Sequence, residues 1–127
     1  MKRTKLRRVS KNPIKRLKDR VDRVVQDWYR ANYPDEKCEC CGRPFELMHH
    51  FILKSHCNAL RYHKANLIFI CSKCHAKIHM FGASELNALI GWKRGKLWYT
   101  KIMKLKNTYL SLTPKYLNEI LDKYKIK

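Results

Sequence analysis

The chain has 127 residues and carries 29 Lys plus Arg against 10 Asp plus Glu, a formal charge of +19. That length is one domain's worth, with 45% apolar content to build a modest core. So large a charge costs self-repulsion in the compact state and implies a polyanionic partner, nucleic acid first, because basic side chains displace counterions from a phosphate backbone. A solvated basic surface or an acidic-membrane contact is the bland alternative. No apolar run approaches the ~18 residues of a membrane span, and no apolar signal core follows the basic N-terminus. The expectation is therefore a cytoplasmic protein with no membrane association, whose cysteines stay reduced.

In chain order, residues 1–11 form a basic arm in which Lys2, Arg3, Lys5, Arg7 and Arg8 are candidates for phosphate contact. From Asn12 or Pro13 the apolar residues Ile14, Leu17, Val21, Val24, Val25 and Trp28 recur at helical steps, with Lys15 and Arg16 on the basic face. Pro34 with Asp35 ends that helix. Residues Glu46 to Leu53 and Leu67 to Ile70 read as two short strands joined by a loop from Lys54 to Asn66. After Cys71 the pattern is helical, with Ser72 as the expected cap and Gly82 as the stop. Ser84 opens another helix through Ile90, Gly91 and Gly95 interrupt, and a further run reaches about Lys106. Thr113 and Pro114 are a cap and first-turn pair for a last helix carrying Leu117, Ile120, Leu121 and Tyr124 on one face. The expected organisation is a basic arm and amphipathic helix (1–37), a compact core (38–82) and a helical extension (83–127).

Six cysteines without a secretion signal favour metal over disulfides. In the Cys38 to Cys41 pair, Gly42 directly after the second cysteine permits the tight turn that lets two thiolates converge, so Cys38 and Cys41 are preferred over Cys40. Cys71 and Cys74 supply the other pair for a structural zinc. Cys40 or Cys57 in place of one ligand stays an alternative, and otherwise both are packing thiols. A finger built from Cys38, Cys41, His75 and His79 competes. Its span far exceeds the usual ~12 residues, and it leaves Cys71 and Cys74 unexplained.

His75 and His79 lie four apart on one helix and present their imidazoles from one face. His49 can complete a three-imidazole set whose other positions stay open, which suits a catalytic ion better than a structural one. His50, its strand neighbour, points elsewhere and is free to act as a base, since histidine's ordinary pKa of ~6.5 leaves it largely neutral at pH 7. His56 and His63, in the polar loop, are read as packing or hydrogen-bonding residues.

The run Leu47 to Phe51 with His49 and His50, then Asn66, then Cys71 to Cys74 followed by His75 and His79, resembles the HNH nuclease motif over roughly residues 38 to 80. The resemblance implies an α+β fold, a small ββα-metal core with a zinc knuckle, flanked here by N- and C-terminal helices. It implies His50 as general base, His49, His75 and His79 as ligands of a catalytic divalent cation, and Asn66 as the motif asparagine. That asparagine braces the loop in the all-histidine branch and binds metal in others. His50, Phe51, Ile52, Leu60, Arg61, Tyr62, Asn66 and the segment from Thr113 to Tyr124 are similar to phage recombination nucleases of the NinG (Rap) type, which act on branched DNA. Many HNH enzymes have Asp where His49 stands, and NinG-type proteins tend to have Asn where His75 stands.

The resulting expectation is an HNH endonuclease that hydrolyses DNA phosphodiester bonds, on double-stranded or branched DNA. Its cofactors are a structural Zn2+ and a catalytic Mg2+ or Mn2+, with Ni2+ or Zn2+ also suited to imidazole ligands. Arg61 is a candidate for the assisting cation, with an ordinary salt bridge as the alternative. The competing class is a non-catalytic, zinc-containing nucleic-acid-binding protein, which explains the charge and the cysteines but not the histidine spacing.

Overall fold

The computed structural model describes residues 12–54 and 56–125, so Lys2, Arg3, Lys5, Arg7 and Arg8 of the expected basic arm lie outside the described residues. Helix α1 spans Pro13–Asn32. The Asn12 side chain accepts from the Ile14 amide at 3.0 Å and Pro13 occupies the first turn, which together satisfy and pre-set the helix start. Its inward face buries Val21, Val25 and Tyr29.

Strands β1 (Leu47–His50) and β2 (Leu67–Ile70) form an antiparallel pair, with Leu47 opposite Ile70 and His50 opposite Leu67. β1 is shorter than the expected 46–53. The reason is Asn66, whose side chain takes both the amide of Ile52 at 2.7 Å and its carbonyl at 3.0 Å, bending the chain away just past His50. Within the expected loop, Asn58–Leu60 and Lys64–Asn66 wind into single turns of 3-10 helix, the second capped by His63 Nδ1 accepting from the Ala65 amide at 3.1 Å.

Helix α2 spans Ser72–Phe81, and its cap is Cys71 rather than Ser72: the Cys71 sulfur accepts from the Cys74 amide at 3.4 Å. Helix α3 (Ser84–Arg94) continues through Gly91, and the break falls at Gly95, where φ is 97°. A glycine inside a helix costs only about 1 kcal/mol, whereas positive φ excludes most other residues, so Gly95 is the true stop. Helix α4 (Lys96–Lys106) follows at once. Helix α5 (Pro114–Lys123) begins as expected, with Thr113 accepting from the Tyr116 amide at 3.1 Å. The fold is thus five helices about a small two-stranded antiparallel sheet among the described residues. No helix among them is long and apolar enough to cross a membrane.

Two strands of four residues cannot stand alone in water, and the helices supply what they lack. One face packs Met48 and Leu67 against Val21, Val25 and Tyr29 of α1 and Leu117, Leu121 and Tyr124 of the α5 end. The other packs Ile68 and Phe51 against Leu60, Ile90 and Ile102. Aromatic edges lock the first cluster, with Trp28 and Tyr124 at 5.0 Å and Phe45 and Phe69 at 4.9 Å between ring centres.

α1 is also tied to the loop by charge. Arg61, 8% exposed, donates to both oxygens of Asp22 at 3.0 and 2.5 Å, and the Tyr62 hydroxyl donates to the same carboxylate at 2.8 Å. Burial raises the Asp22 pKa, but hydrogen bonds from Arg61 and Tyr62 and the charges of Arg61 and Lys54 outweigh it, leaving the pKa below its ordinary 3.8. Truncating Asp22→Ala strands a buried guanidinium, so it should destabilise the fold by about 3–5 kcal/mol in denaturant titrations. Because the folded-state pKa is depressed, the carboxylate's contribution is complete above the ordinary value and is lost as pH falls through the folded value. The gap between wild type and Asp22→Ala should therefore narrow only below about pH 4.

Candidate functional site

The sulfurs of Cys38, Cys41, Cys71 and Cys74 all lie within 4.8 Å of one another, with Cys41 and Cys71 at 3.5 Å. A tetrahedral zinc with bonds of ~2.3 Å needs sulfurs ~3.8 Å apart, so this donor set fits a structural metal such as zinc. The knuckle is shaped by backbone: the Cys38 amide donates to the Arg43 carbonyl at 2.6 Å, the Gly42 amide to the Cys38 carbonyl at 2.9 Å, and Gly42 takes φ 78°. Cys41 is exposed, and a backbone hydrogen bond at Arg43, aided by the neighbouring sulfurs against some desolvation, lowers its pKa to about 7. Burial pushes the Cys74 thiol upward, reinforced by the other three sulfurs. Such crowding is resolved by a dication that accepts all four as thiolates. The finger alternative fails, since Cys71 and Cys74 join Cys38 and Cys41 while His75 and His79 do not. Cys57 is buried, with its sulfur 3.7 Å from the Leu105 carbonyl, and Cys40 has its pKa pushed up to about 12, chiefly by burial. Both are packing thiols.

α2 leaves this knuckle carrying His75 and His79, whose ring centres are 4.7 Å apart, and His49 on β1 sits 6.3 Å from His75. Thus one strand and one helix bring the three expected imidazoles into one neighbourhood. The set is graded in depth, with His49 buried, His75 half-buried and His79 exposed. Burial pulls the His49 pKa down to about 4, with the adjacent histidines adding to it, and burial also lowers His75. Burial disfavours the charged form of both rings, which leaves their lone pairs available to a cation. Their chemistry fits a divalent ion of intermediate softness.

His50 faces the other side of β1, as the strand period requires. Its Nε2 lies 2.8 Å from the Arg61 carbonyl. A carbonyl only accepts, so Nε2 carries the proton and Nδ1 carries the lone pair. Burial lowers the His50 pKa, partly opposed by that hydrogen bond. The ring opens on a cavity of about 150 Å3 shared with Asp22, Arg23, Lys54 and Tyr62.

Asn66 and Arg61 are both engaged within the fold. Asn66 is fully buried, and its amide is spent on Ile52 and, at 3.1 Å, on the Leu60 carbonyl. It braces the turn between His50 and the loop, away from solvent. Arg61 sets its guanidinium Nε and Nη2 on Asp22 and Tyr62, the ion pair of the alternative reading. Its backbone carbonyl holds His50. Lys54, half exposed and 3.3 Å from Asp22, is the cation beside His50 that the sequence did not single out. No local pattern marks it; only the fold of the loop brings it to His50. Lys15 and Arg16 are exposed on α1, where a phosphate backbone can reach them.

Residues 38–81 match the family model for HNH endonuclease. The mitochondrial DNA mismatch repair protein mutS homolog of Sarcophyton glaucum is 37% identical over 70 residues, which cover 52% of this chain and 7% of that protein. The chain therefore corresponds to a small part of that relative's length. No solved structure matches. An HNH domain implies nucleic-acid binding and suggests nuclease activity. The finer likeness to NinG-type nucleases has no counterpart among these matches.

Purified protein should hold about one zinc per chain by metal analysis. Cys71→Ala should lose it and, because the same sulfur caps α2, should also lose helical signal in circular dichroism, whereas Cys40→Ser should keep the metal.

Proposed function

We propose that the chain is a metal-dependent endonuclease that hydrolyses phosphodiester bonds in DNA. The observation that carries this reading is the pair of histidines at the end of β1: His49 turns toward His75 and His79, and His50 turns the other way with one nitrogen fixed by the Arg61 carbonyl. A purely structural zinc module has no use for that division. The match of residues 38–81 to the HNH endonuclease family supports the same assignment.

His50 is the general base. Its Nε2 proton is engaged by Arg61, so Nδ1 takes the proton from a water molecule attacking phosphorus. The orientation is built from a distance, because Asp22 anchors the Arg61 side chain, and the Arg61 carbonyl in turn anchors the base. Asn66 holds the chain direction beyond the base by clamping Ile52. Lys54 lines the cavity beside His50, and its ion pair is half exposed and weak, so it is available to a phosphate oxygen. His49, His75 and His79 would hold a divalent cation, which supplies charge neutralisation at the scissile phosphate and leaving oxygen. The +19 charge, with exposed Lys15 and Arg16, supports binding along the DNA backbone without sequence reading. Double-stranded or branched DNA of the kind cut in recombination is the substrate class proposed.

Plasmid, single-stranded, flapped and four-way DNA incubated with Mg2+ or Mn2+, with EDTA as control, tests the activity. His50→Ala should retain DNA binding while cleavage falls by ~10² to 10⁴, the usual loss for a general base. His79→Ala should also lose cleavage but recover part of it as Mn2+ is raised, since occupancy is its defect. Wild-type cleavage by His50→Ala would sink the mechanism. No cleavage of any substrate with any metal would replace it with a nucleic-acid-binding zinc module.

A further inference from the structure

Two buried side-chain polar atoms among the described residues have no hydrogen-bond partner, His49 Nε2 and Asn87 Oδ1. Unsatisfied buried groups are costly and rare, and these two are of complementary kind: an imidazole nitrogen can donate, and an amide oxygen can only accept. They are also neighbours. Asn87 donates from Nδ2 to the Phe51 carbonyl at 3.2 Å, two residues beyond His49 on the same strand exit.

The amide orientation follows from Phe51. Reversing the Asn87 side chain would set its oxygen against the Phe51 carbonyl, two acceptors face to face, so Nδ2 stays on Phe51 and Oδ1 is left for His49. We infer that Asn87 is a positioning residue for His49: Oδ1 accepts the Nε2 proton and leaves Nδ1 with the lone pair. This deepens the proposed function, since it rests on His49 as a metal ligand for its consequence, though not for the pairing itself. A ligating histidine whose second nitrogen is held by an acceptor has its tautomer and ring plane fixed before the ion arrives.

α3 is set against the knuckle by Arg94, which grips both oxygens of Glu39 at 2.7 Å, and by Lys93, which donates to the Glu39 carbonyl at 2.8 Å. Ile90, one turn on from Asn87, is fully buried in the same cluster as Phe51 and Ile68. Asn87 therefore reaches His49 from a helix outside the segment that matches the HNH family. The helical extension completes the imidazole site.

The test uses the full-length, zinc-loaded chain. Long-range proton–nitrogen NMR at pH 7, with His49 assigned by comparison with His49→Ala, should show the His49 ring protonated on Nε2 before any second ion is added. Asn87→Ala should give a mixture of tautomers, whereas Asn87→Asp, which keeps an oxygen acceptor, should restore the Nε2 form. Ni2+ titrated calorimetrically should bind about 10- to 100-fold more weakly to Asn87→Ala, at unchanged zinc content. A His49 ring protonated on Nδ1, or one whose tautomer ignores Asn87→Ala, overturns the pairing. Unchanged Ni2+ affinity in Asn87→Ala, with binding abolished in His49→Ala, overturns the positioning role. If the tautomer behaves as stated but His49→Ala leaves Ni2+ binding intact, the pairing stands and the metal triad of the proposed function falls.

Discussion

The convergence of Cys38, Cys41, Cys71 and Cys74 within 4.8 Å is the constraint on which the remaining geometry depends. It joins the turn before β1 to the start of α2, and β1 and α2 are the two elements that carry the imidazoles. Cys71 has two duties, since the sulfur that belongs to the metal set also caps the helix bearing His75 and His79. The position and the beginning of that helix are thus decided by one side chain. With three of the four sulfurs buried, the set without a cation would hold thiols where water cannot reach them. Metal binding and folding are one event in such an arrangement.

The two histidines at the end of β1 acquire different characters from different surroundings. His49 is sunk between strand, α2 and α3, where desolvation dominates its titration. His50 emerges beside α1 and the loop, where a carbonyl selects which nitrogen is basic. Strand alternation separates the pair, and the early end of β1 keeps both close to one edge. Asn66 enforces that end, so a buried amide decides where His50 stands.

What could be read from the sequence was local chemistry. The Thr113 cap, Pro13 and Pro114 in first turns, the Gly42 knuckle and the four-residue step between His75 and His79 each act within one turn of chain, and each holds. What could not be read depends on partners distant in sequence. Asp22 claims Arg61 across 39 positions, so a guanidinium that looked free for phosphate is internal. The strand stops short because a side chain 14 residues away competes for Ile52. Gly91 and Gly95 look alike as breakers, yet the first stays helical and positive φ stops the chain at the second. Asn87 carries no motif, and it stands out only once its oxygen is seen to be alone beside an unpartnered ring.

The packing of α1 against α5 also bears on the order of assembly. These helices share a core, yet the whole sheet, knuckle and α2 to α4 lie between them in sequence. Bringing such distant segments together costs loop-closure entropy, which rises by roughly 0.6 kcal/mol with each doubling of the loop. The thiolate cluster cuts across that loop, because Cys38 and Cys74 are held at the same point in space. With a metal seated there, the intervening residues would no longer count toward the distance α5 must search. An ion in the knuckle would therefore also be a shortcut in chain connectivity, and the last helix would find the first across a path already folded in half.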